Sequence, residues 1–293
     1  MLTDFVGVII DGTSYGAMLF VIALGLSITL GLMGFVNLAH TAVAMFGGYF
    51  LVTLVNQLAW PFFVSVAVVV VAIALASLVL ERVIYAPFYR ATALDQSLLT
   101  FGLMLMAGGI VHYFWGPSQQ AVRVPEYLDG RWYLGDLSVS KYRMMLLGTG
   151  LALLALLNWG LDSTRLGAMI RASVDNQRIA ASMGIPVKRV FMIAFAIGSG
   201  LAALGGALGA EVLGLDPAFA TRTLVLCLLV VVLGGAGSVN GTFFAAMLLG
   251  ICDIGSKYYV PEFGAFMIYV LMAVVLLYRP QGLYSLFARR RAA

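Results

Sequence analysis

Two long apolar segments without a charged residue limit the fold of this chain more than any other feature. They are Pro61–Leu80 and Ser97–Trp115, and the second is interrupted only by His112. A helix needs about 20 apolar residues to cross roughly 30 Å of hydrocarbon, and it satisfies its own backbone N–H and C=O groups where no water is present. The sequence therefore predicts an all-α, polytopic membrane protein.

The composition excludes an ordinary soluble domain. The 293 residues are 62% hydrophobic and 10% charged, with a mean hydropathy of +1.01, whereas soluble domains are about 25% charged. Cys227 and Cys252 both lie in apolar segments, which favours small buried side chains over a disulfide or a metal site. We expect neither a metal nor a catalytic residue on this chain.

Nine segments are predicted to cross the membrane and to form one transmembrane domain over residues 1–293. The seventh and eighth are short and are separated by a glycine-rich stretch, so they are either two spans or one interrupted hairpin. The total is therefore eight or nine. The segments are Phe5–Met33, Val36–Asn56, Pro61–Leu80, Ser97–Trp115, Met144–Leu161, Val190–Ala210, Thr223–Gly234, Thr242–Ser256 and Phe263–Tyr278.

The basic residues predict an orientation, because Lys and Arg accumulate on the cytoplasmic side of a membrane protein. With the N-terminus outside, 11 of the 17 Lys and Arg lie inside, mostly between Arg165 and Arg189 and at the C-terminus. Both basic segments face the same side only if an even number of spans separates them, which favours nine. These residues also account for the net charge of +4, so we expect no nucleic-acid partner.

A short helix is predicted in the longest polar stretch of the inner face, the loop at about 162–189. Ser173 or Asp175 is a suitable N-cap, Gly184 would end the helix, and Pro186 would prevent its continuation. Such a helix would lie parallel to the membrane on the cytoplasmic side.

Three groups of residues, in this order along the chain, resemble the branched-chain amino acid permeases of ATP-binding-cassette (ABC) importers. The first lies in the initial two spans, the second in the polar loop and the third near the C-terminus. They are Gly25-Leu26-Ser27 with Gly34-Phe35-Val36-Asn37-Leu38-Ala39-His40 and Gly47-Gly48-Tyr49; then Arg171-Ala172, Asn176, Ala180-Ala181 and Gly184-Ile185; then Leu233-Gly234-Gly235-Ala236-Gly237-Ser238 and Pro280-Gln281-Gly282-Leu283.

The resemblance implies a role for the predicted short helix. In such permeases this helix docks into a groove of the ATPase subunit. Here that role would fall on Arg171 through Ile185, with small residues allowing close approach and arginines offering charged contacts. The wider importer pattern has an acidic residue where Ile179 stands, so no charged contact is carried over there. The ATPase-coupling residues would be Arg171, Ala172, Asn176, Arg178, Ala180, Ala181, Gly184 and Ile185.

The resemblance also implies partners. The chain contains no G-x-x-x-x-G-K-[ST] phosphate loop, so ATP and Mg would be bound by two cytoplasmic ATPase subunits. A second, related permease and an extracytoplasmic solute-binding protein would complete the importer in the bacterial inner membrane, with the C-terminus cytoplasmic. The substrate would be a branched-chain or related amino acid; relatives for urea-like amides or small carboxylates are the alternative.

Two glycine-rich interruptions, Gly31–Asn37 and Gly234–Gly241, share a local sequence echo. Paired interruptions of apolar segments indicate a transport path, because unwound backbone is tolerated where it lines a cavity. Tight turns between spans explain them equally well. The candidate lining residues are Gly34, Asn37, His40, Gly237, Ser238 and Asn240.

The sixth span carries a small residue at every fourth position, which places a smooth stripe along one helix face. Packing within this subunit is the first interpretation, and a moving contact near the pore or between subunits is the second. The stripe consists of Ala194, Gly198, Ala202, Gly206 and Ala210.

Two other functional classes, a membrane hydrolase and an ion-coupled carrier or channel, are alternatives to the importer. Gly12–Gly16 fits the G-x-S-x-G pattern of hydrolases, but that pattern requires a strand before the serine, and here it opens an apolar span. An ion-coupled carrier needs ionisable groups at mid-membrane. Asp253 is the clearest candidate, with Asp11 and Glu81 closer to span ends. An ATP-independent channel or secondary transporter remains open from the sequence.

Overall fold

The structure is a computed structural model, and it describes residues 2–34, 36–135, 137–279 and 282. Some residues of the motifs and basic tail named above lie outside the described residues. They are Phe35, Pro280, Gln281, Leu283, Arg289, Arg290 and Arg291.

Helices make up most of the described chain, as predicted. Two of them are extended by other helical turns: α2 continues as a π-helical turn to Gln57, and α3 continues through a π-helical turn, Glu81–Tyr85, and a 3-10 turn, Ala86–Arg90. The helices are α1 (Leu2–Met33), α2 (His40–Val52), α3 (Phe62–Leu80), α4 (Ala93–Trp115), α5 (Lys141–Ser163), α6 (Arg165–Asp175), α7 (Gln177–Ser182), α8 (Val187–Leu213), α9 (Phe219–Gly234), α10 (Val239–Tyr259) and α11 (Gly264–Tyr278).

A short antiparallel hairpin, which the sequence did not predict, joins α4 to α5. Strand β1 (Arg131–Leu134) pairs with β2 (Leu137–Ser140), with Trp132 opposite Val139. The loop before it is tied to the helices. The Asn56 side chain donates to the Ala121 carbonyl at 2.8 Å and accepts from the Arg123 N–H at 3.0 Å. We call this end of the bundle the hairpin end, and the opposite end, which carries α6 and α7, the α7 end.

Six helical segments of the described chain are long and apolar enough to cross a membrane, whereas α9 and α11 are apolar but shorter. The polytopic helical class is thus confirmed. Each predicted span falls on a separate helix, and the seventh and eighth correspond to α9 and α10. The six segments are Asp4–Gly31, Phe62–Tyr89, Ala93–Trp115, Lys141–Ser163, Val187–Leu213 and Val239–Tyr259.

The centre of the bundle is α1, which packs against α8 and α10 through glycines. A Cβ atom at Gly16 would lie 2.7 Å from the Ala246 carbonyl oxygen, and one at Gly25 would lie 2.2 Å from that of Gly198. The packing therefore leaves no room for a Cβ atom at either position. Because lipid is as apolar as the helices, close backbone approach and van der Waals contact hold such helices together.

The small-residue stripe of α8 packs within this chain, so the first interpretation of it is confirmed. Its five residues are all buried. Gly198 faces α1, and a Cβ at Gly206 would lie 1.8 Å from the Ala44 carbonyl oxygen of α2. Helix α8 therefore lies against α1 on one side and α2 on the other with almost no side chain between the backbones.

Candidate coupling and translocation sites

Helix α7 begins at a different residue from the one predicted. Asn176 is its N-cap, and the Asn176 Oδ1 accepts from the backbone N–H groups of Arg178 and Ile179 at 3.1 and 3.0 Å. The predicted caps, Ser173 and Asp175, lie in the last turns of α6. The Ser173 hydroxyl is used inside that helix, where it donates to the Met169 carbonyl at 2.8 Å. Asn is among the favoured N-caps, so the signal was present in the sequence.

Helix α7 ends at Ser182, and Gly184 terminates it, as predicted. Gly184 has a φ of +82°, a conformation that residues with a Cβ rarely adopt. The Gly184 N–H donates to the Ala181 carbonyl at 3.0 Å, and the Ile185 N–H donates to the Ala180 carbonyl at 3.1 Å. This pair of bonds is the Schellman motif, which satisfies the last carbonyls of a helix. The six-residue α7 is therefore defined at both ends by its own sequence.

The exposed surface of α7 is apolar as well as basic. Ala180 is buried, whereas Ile179 is 59% exposed and Met183 is 76% exposed. Arg178 and Ala181 line a cleft of about 720 Å³ beside Lys188 and Arg189. Helix α7 thus presents two large apolar side chains at the α7 end, next to a basic cleft.

Arg171 and Ala172 precede α7, on the last turns of α6. The Arg171 guanidinium lies 3.7 Å from the Asp162 carboxylate at the end of α5. Both residues are only partly exposed, in contrast to the exposed α7. The predicted coupling residues therefore form one continuous segment. Arg171 and Ala172 on α6 lie at its partly buried base, and the residues of α7 lie at its exposed tip.

The first glycine-rich interruption leads the chain back into the bundle. The Leu38 N–H donates to the Thr100 hydroxyl of α4 at 3.2 Å, and the His40 Nε2 lies 3.2 Å from the Ile22 carbonyl oxygen of α1. Thr100 is about two turns from the start of α4, and Ile22 about three turns from the end of α1. Residues 36–39 are thus non-helical backbone inside the bundle, which explains why α2 starts four residues later than predicted.

Polar contacts hold this non-helical segment in place. Asn37 is buried, and its Oδ1 accepts from the Tyr85 hydroxyl at 3.3 Å and from the Ala39 N–H at 3.1 Å. His40 is buried as well, whereas Gly34 is exposed and has a φ of +73°. Backbone without a helix is tolerated at membrane depth when protein groups satisfy it, as they do here.

The second interruption meets the end of α1 at the α7 end. The Gly237 N–H donates to the Ser27 carbonyl at 3.1 Å, and a Cβ at Gly31 would lie 2.6 Å from the Gly237 Cα. Ser238 caps α10 by accepting from the Gly241 N–H at 3.0 Å. The Asn240 Oδ1 accepts from the Asn158 amide of α5 at 2.8 Å. The structure brings both interruptions against α1, and the pore-lining role of their six candidate residues stays a prediction.

A buried polar cluster near the first interruption was not predicted, although Glu81 itself was named as an ionisable residue close to a span end. Glu81 is 5% exposed, and its carboxylate accepts from the Tyr89 hydroxyl at 2.6 Å. Gln96 donates to the Phe88 carbonyl at 2.8 Å. Glu81 stands in the π-helical turn after α3, directly behind an apolar run, and this position is the signal that could have found the cluster.

The G-x-S-x-G pattern lies in the middle of α1, not after a strand. The Ser14 hydroxyl donates to the Ile10 carbonyl at 2.8 Å. Gly12 and Gly16 pack so closely against the backbone of α10 that a Cβ atom at either position would lie 2.7 Å from it. The residues serve helix packing, so the hydrolase interpretation loses the local geometry it requires.

A bundle of long apolar helices, with non-helical backbone after its first helix and a capped surface helix at one end, is the architecture of a polytopic membrane protein. The profile described as branched-chain amino acid transport system / permease component matches residues 8–276. The chain therefore belongs to this family.

Curated relatives agree over nearly the whole chain. The high-affinity branched-chain amino acid transport system permease protein LivH of Escherichia coli (strain K12) is 27% identical over 289 residues, covering 93% of both proteins. The corresponding protein BraD of Pseudomonas aeruginosa is 24% identical, covering 94% of both. The solved structure of PsaBC from Streptococcus pneumoniae in complex with Fab aligns over 94% of both chains with a TM-score of 0.51 at 14% identity, which shows the fold alone.

Proposed function

We propose that this chain is a permease subunit of an ABC importer and forms half of a translocation pathway for branched-chain or related amino acids. The family match over residues 8–276 carries the proposal. The position and form of α7 support it, because a surface helix with fixed ends and exposed apolar side chains suits docking to a second protein.

In this proposal, α7 is the contact with the ATPase. The exposed Ile179 and Met183 enter the ATPase groove, and Arg178 contacts its rim. Ala181 and Gly184 allow close approach. Arg171 and Ala172 lie at the base of the segment and transmit displacement of α7 to α5 and α8. Asn176 and Ile185 hold the ends of α7 through the cap bonds described above.

The proposed topology has nine crossings, with α9 and α10 as separate passes and the C-terminus in the cytoplasm. The α7 end then faces the cytoplasm and the hairpin end faces the solute-binding protein. The distribution of Lys and Arg supports this orientation. The membrane is the bacterial inner membrane, and one transmembrane domain includes residues 1–293.

The proposed importer contains a second, related permease, two ATPase subunits and an extracytoplasmic solute-binding protein. ATP and Mg bind to the ATPases, and hydrolysis occurs there. The change in access arises when closure of the ATPases displaces α7. Gly34, residues 36–40 and Gly237–Asn240 lie where such a displacement would reach α1 and α10.

Co-purification of the tagged full chain in mild detergent, followed by mass spectrometry, tests the proposal. We expect ATPase subunits with a nucleotide-binding motif to accompany the chain. Gly184→Ala should remove them, because an alanine at this φ disrupts the end of α7. Gly116→Ala is the matched control: Gly116 also ends a helix, has a φ of +81°, and has open space around it, but lies at the hairpin end.

A second pair of variants tests the docking surface without altering the backbone. Met183→Asp places a charge at the exposed tip of α7, and Tyr113→Asp does the same on the exposed end of α4. We expect only Met183→Asp to release the ATPases. Purification without an ATPase, together with leucine flux into liposomes in the absence of ATP, would contradict the importer and favour a channel or carrier.

A further inference from the structure

A cleft of about 530 Å³ opens at the hairpin end, away from α7 and from both glycine-rich interruptions. Six helices contribute to it: the first halves of α1, α5, α9 and α11, and the last turns of α8 and α10. Ligand pockets in proteins have volumes of about 300–1,000 Å³, and this cleft lies within that range. It is large enough for a small organic molecule.

Charged side chains line one part of the cleft. Asp253 is held in α10 with its side chain 6% exposed, and its Oδ2 accepts from the Lys257 Nζ at 2.7 Å. Arg222 and Arg143 approach from α9 and α5. A carboxylate this far from water in an apolar helix is costly and indicates a function.

Each of the three cations has an acidic partner among the described residues. Arg222 contacts the Asp216 carboxylate at 2.9 Å, Lys257 contacts Asp253, and Arg143 contacts Asp11. The three cations are between about one third and one half exposed. The pairs of Arg222 and Arg143 have partly exposed members on both sides and contribute little stability. Lys257 neutralises the buried Asp253, so a ligand that displaces it must bring a cation of its own, as a zwitterion does.

Most of the remaining lining of the cleft is apolar, with Tyr15, Thr223 and Tyr269 as the hydroxyl-bearing exceptions. Val212 and Leu213 come from α8, Val225 and Leu226 from α9, and Ile254 and Ile268 from α10 and α11. Contact between these side chains and an aliphatic group of a ligand removes apolar surface from water, which favours binding. The cleft thus combines a buried carboxylate, two or three accessible cations and a branched aliphatic surface.

We propose that this cleft binds the zwitterionic amino acid on its way into the transport path. The α-ammonium group contacts the Asp253 carboxylate, the α-carboxylate contacts Arg222 and Lys257, and the aliphatic side chain lies on the apolar wall. The assignment rests on the proposed function and deepens it, because it locates selection for an α-amino acid on the permease. A purely anionic ligand would offer no cation to Asp253. A purely cationic ligand would offer no anion to Arg222 and Lys257.

Protection of an introduced cysteine tests this site on the full chain in detergent. Ala265 lines the cleft and is exposed, so Ala265→Cys is made in a Cys252→Ser background, and the rate of its reaction with a cationic methanethiosulfonate reagent is measured. Cys227 is buried and stays. We expect 10 mM leucine to slow the reaction at least threefold.

Two ligands with half of the zwitterion, 4-methylpentanoate and isoamylamine, are the controls for charge. They keep the leucine side chain but lack the ammonium or the carboxylate, and we expect neither to protect at the same concentration. Asp253→Asn should abolish protection by leucine, and Asp253→Glu should retain it. Protection by all three ligands alike, or leucine protection that survives Asp253→Asn, overturns the proposal.

Arg222→Gln provides a second variant if Asp253→Asn does not fold, and it too should abolish protection by leucine. The outcome is independent of the co-purification experiment, because protection is measured on the chain alone. Leucine protection, combined with a failure to recover any ATPase in the co-purification experiment, would contradict the importer and keep the cleft. An ATPase-bound chain whose Ala265→Cys variant leucine does not protect would keep the importer and refute the cleft.

Discussion

Helices α1 and α5 have the same mean hydropathy, 1.8 in their most apolar 18-residue windows, but lie in opposite environments. In that window 78% of the α1 residues are buried in the protein, against 11% for α5. Apolarity thus places both helices in the membrane without deciding which is central. The difference lies in the glycines: Gly12, Gly16, Gly25 and Gly31 of α1 meet other backbones. In α5, Gly150 meets Ala17 of α1, but Gly148 and Gly160 have no atom within 4 Å of a Cβ position. Four sets of variants test whether close backbone contact, rather than apolarity, decides which helices are central.

The largest effect is expected for Gly206→Ala, at the crossing of α8 and α2. The new Cβ would lie 1.8 Å from the Ala44 carbonyl oxygen, so the helices must separate, and overpacking of this kind costs about 3 kcal/mol or more. Measurement is by the folded fraction after detergent solubilisation, followed by size-exclusion chromatography. A normal yield of Gly206→Ala would show that the crossing is not tightly packed.

The second experiment compares two glycines that face each other across α1 and α8. A Cβ at Gly25 would lie 2.2 Å from the Gly198 carbonyl oxygen and 2.6 Å from the His40 ring, whereas a Cβ at Gly198 would lie 3.2 Å from its nearest neighbours. We expect Gly25→Ala to lower the thermal midpoint of the purified protein several degrees more than Gly198→Ala. Equal thermal midpoints would show that the two positions are equally constrained, which would contradict the difference in the two Cβ distances.

The third variant, Tyr142→Phe, removes a hydrogen bond between α5 and the interior. The buried Tyr142 hydroxyl donates to the Leu208 carbonyl of α8 at 2.7 Å, and loss of such a bond costs about 1 kcal/mol. Tyr113→Phe serves as the control, because Tyr113 is 82% exposed. Thermal unfolding of the two variants should differ by a few degrees, and identical curves would remove Tyr142 as the link between α5 and α8.

The smallest effect, of opposite sign, is expected for Gly148→Ala in α5. Nothing lies within 4 Å of its Cβ position, and alanine favours a helix over glycine by about 0.5–1 kcal/mol. The isolated chain should therefore unfold at the same temperature as the unchanged protein or slightly above it. A clear loss of stability would place an unrecognised contact on this face of α5.

Much of the helical framework was predictable because it depends on local apolar runs. The predicted Val190–Ala210 lies within α8 and its small-residue stripe faces inward as expected, since a period of four residues draws one face of a helix. The end of α4 at Trp115 was also placed correctly. In these elements the residues that decide the structure are neighbours in sequence.

The remainder depends on contacts between distant residues. The start of α2 at His40 is set by the Thr100 hydroxyl and by Tyr85, which no local pattern reveals. The hairpin strands have four residues each, too few for an alternating signal. The position of the α7 cap was ambiguous because three suitable residues occur within four positions, and only the fold selects Asn176.

The candidate sites divide in the same way. The predicted coupling segment is continuous in sequence, so its motif could be recognised from the residues alone, and its coupling role stays a prediction. The charged cleft is assembled from six helices that are distant in sequence, α1, α5 and α8 to α11, so Asp253 stood out only as a lone carboxylate in an apolar run. Its cationic neighbours Arg143, Arg222 and Lys257 carried no signal of their own in the sequence.

The glycine contacts between α1, α2, α8 and α10 have a thermal consequence. Separating these helices within lipid transfers their surfaces from one apolar environment to another, so little apolar area is hydrated and the heat-capacity change is small. Their contribution to stability should vary little between cold and warm conditions. The hairpin and the ion pairs at the water boundary are hydrated on opening, so they should respond to temperature first.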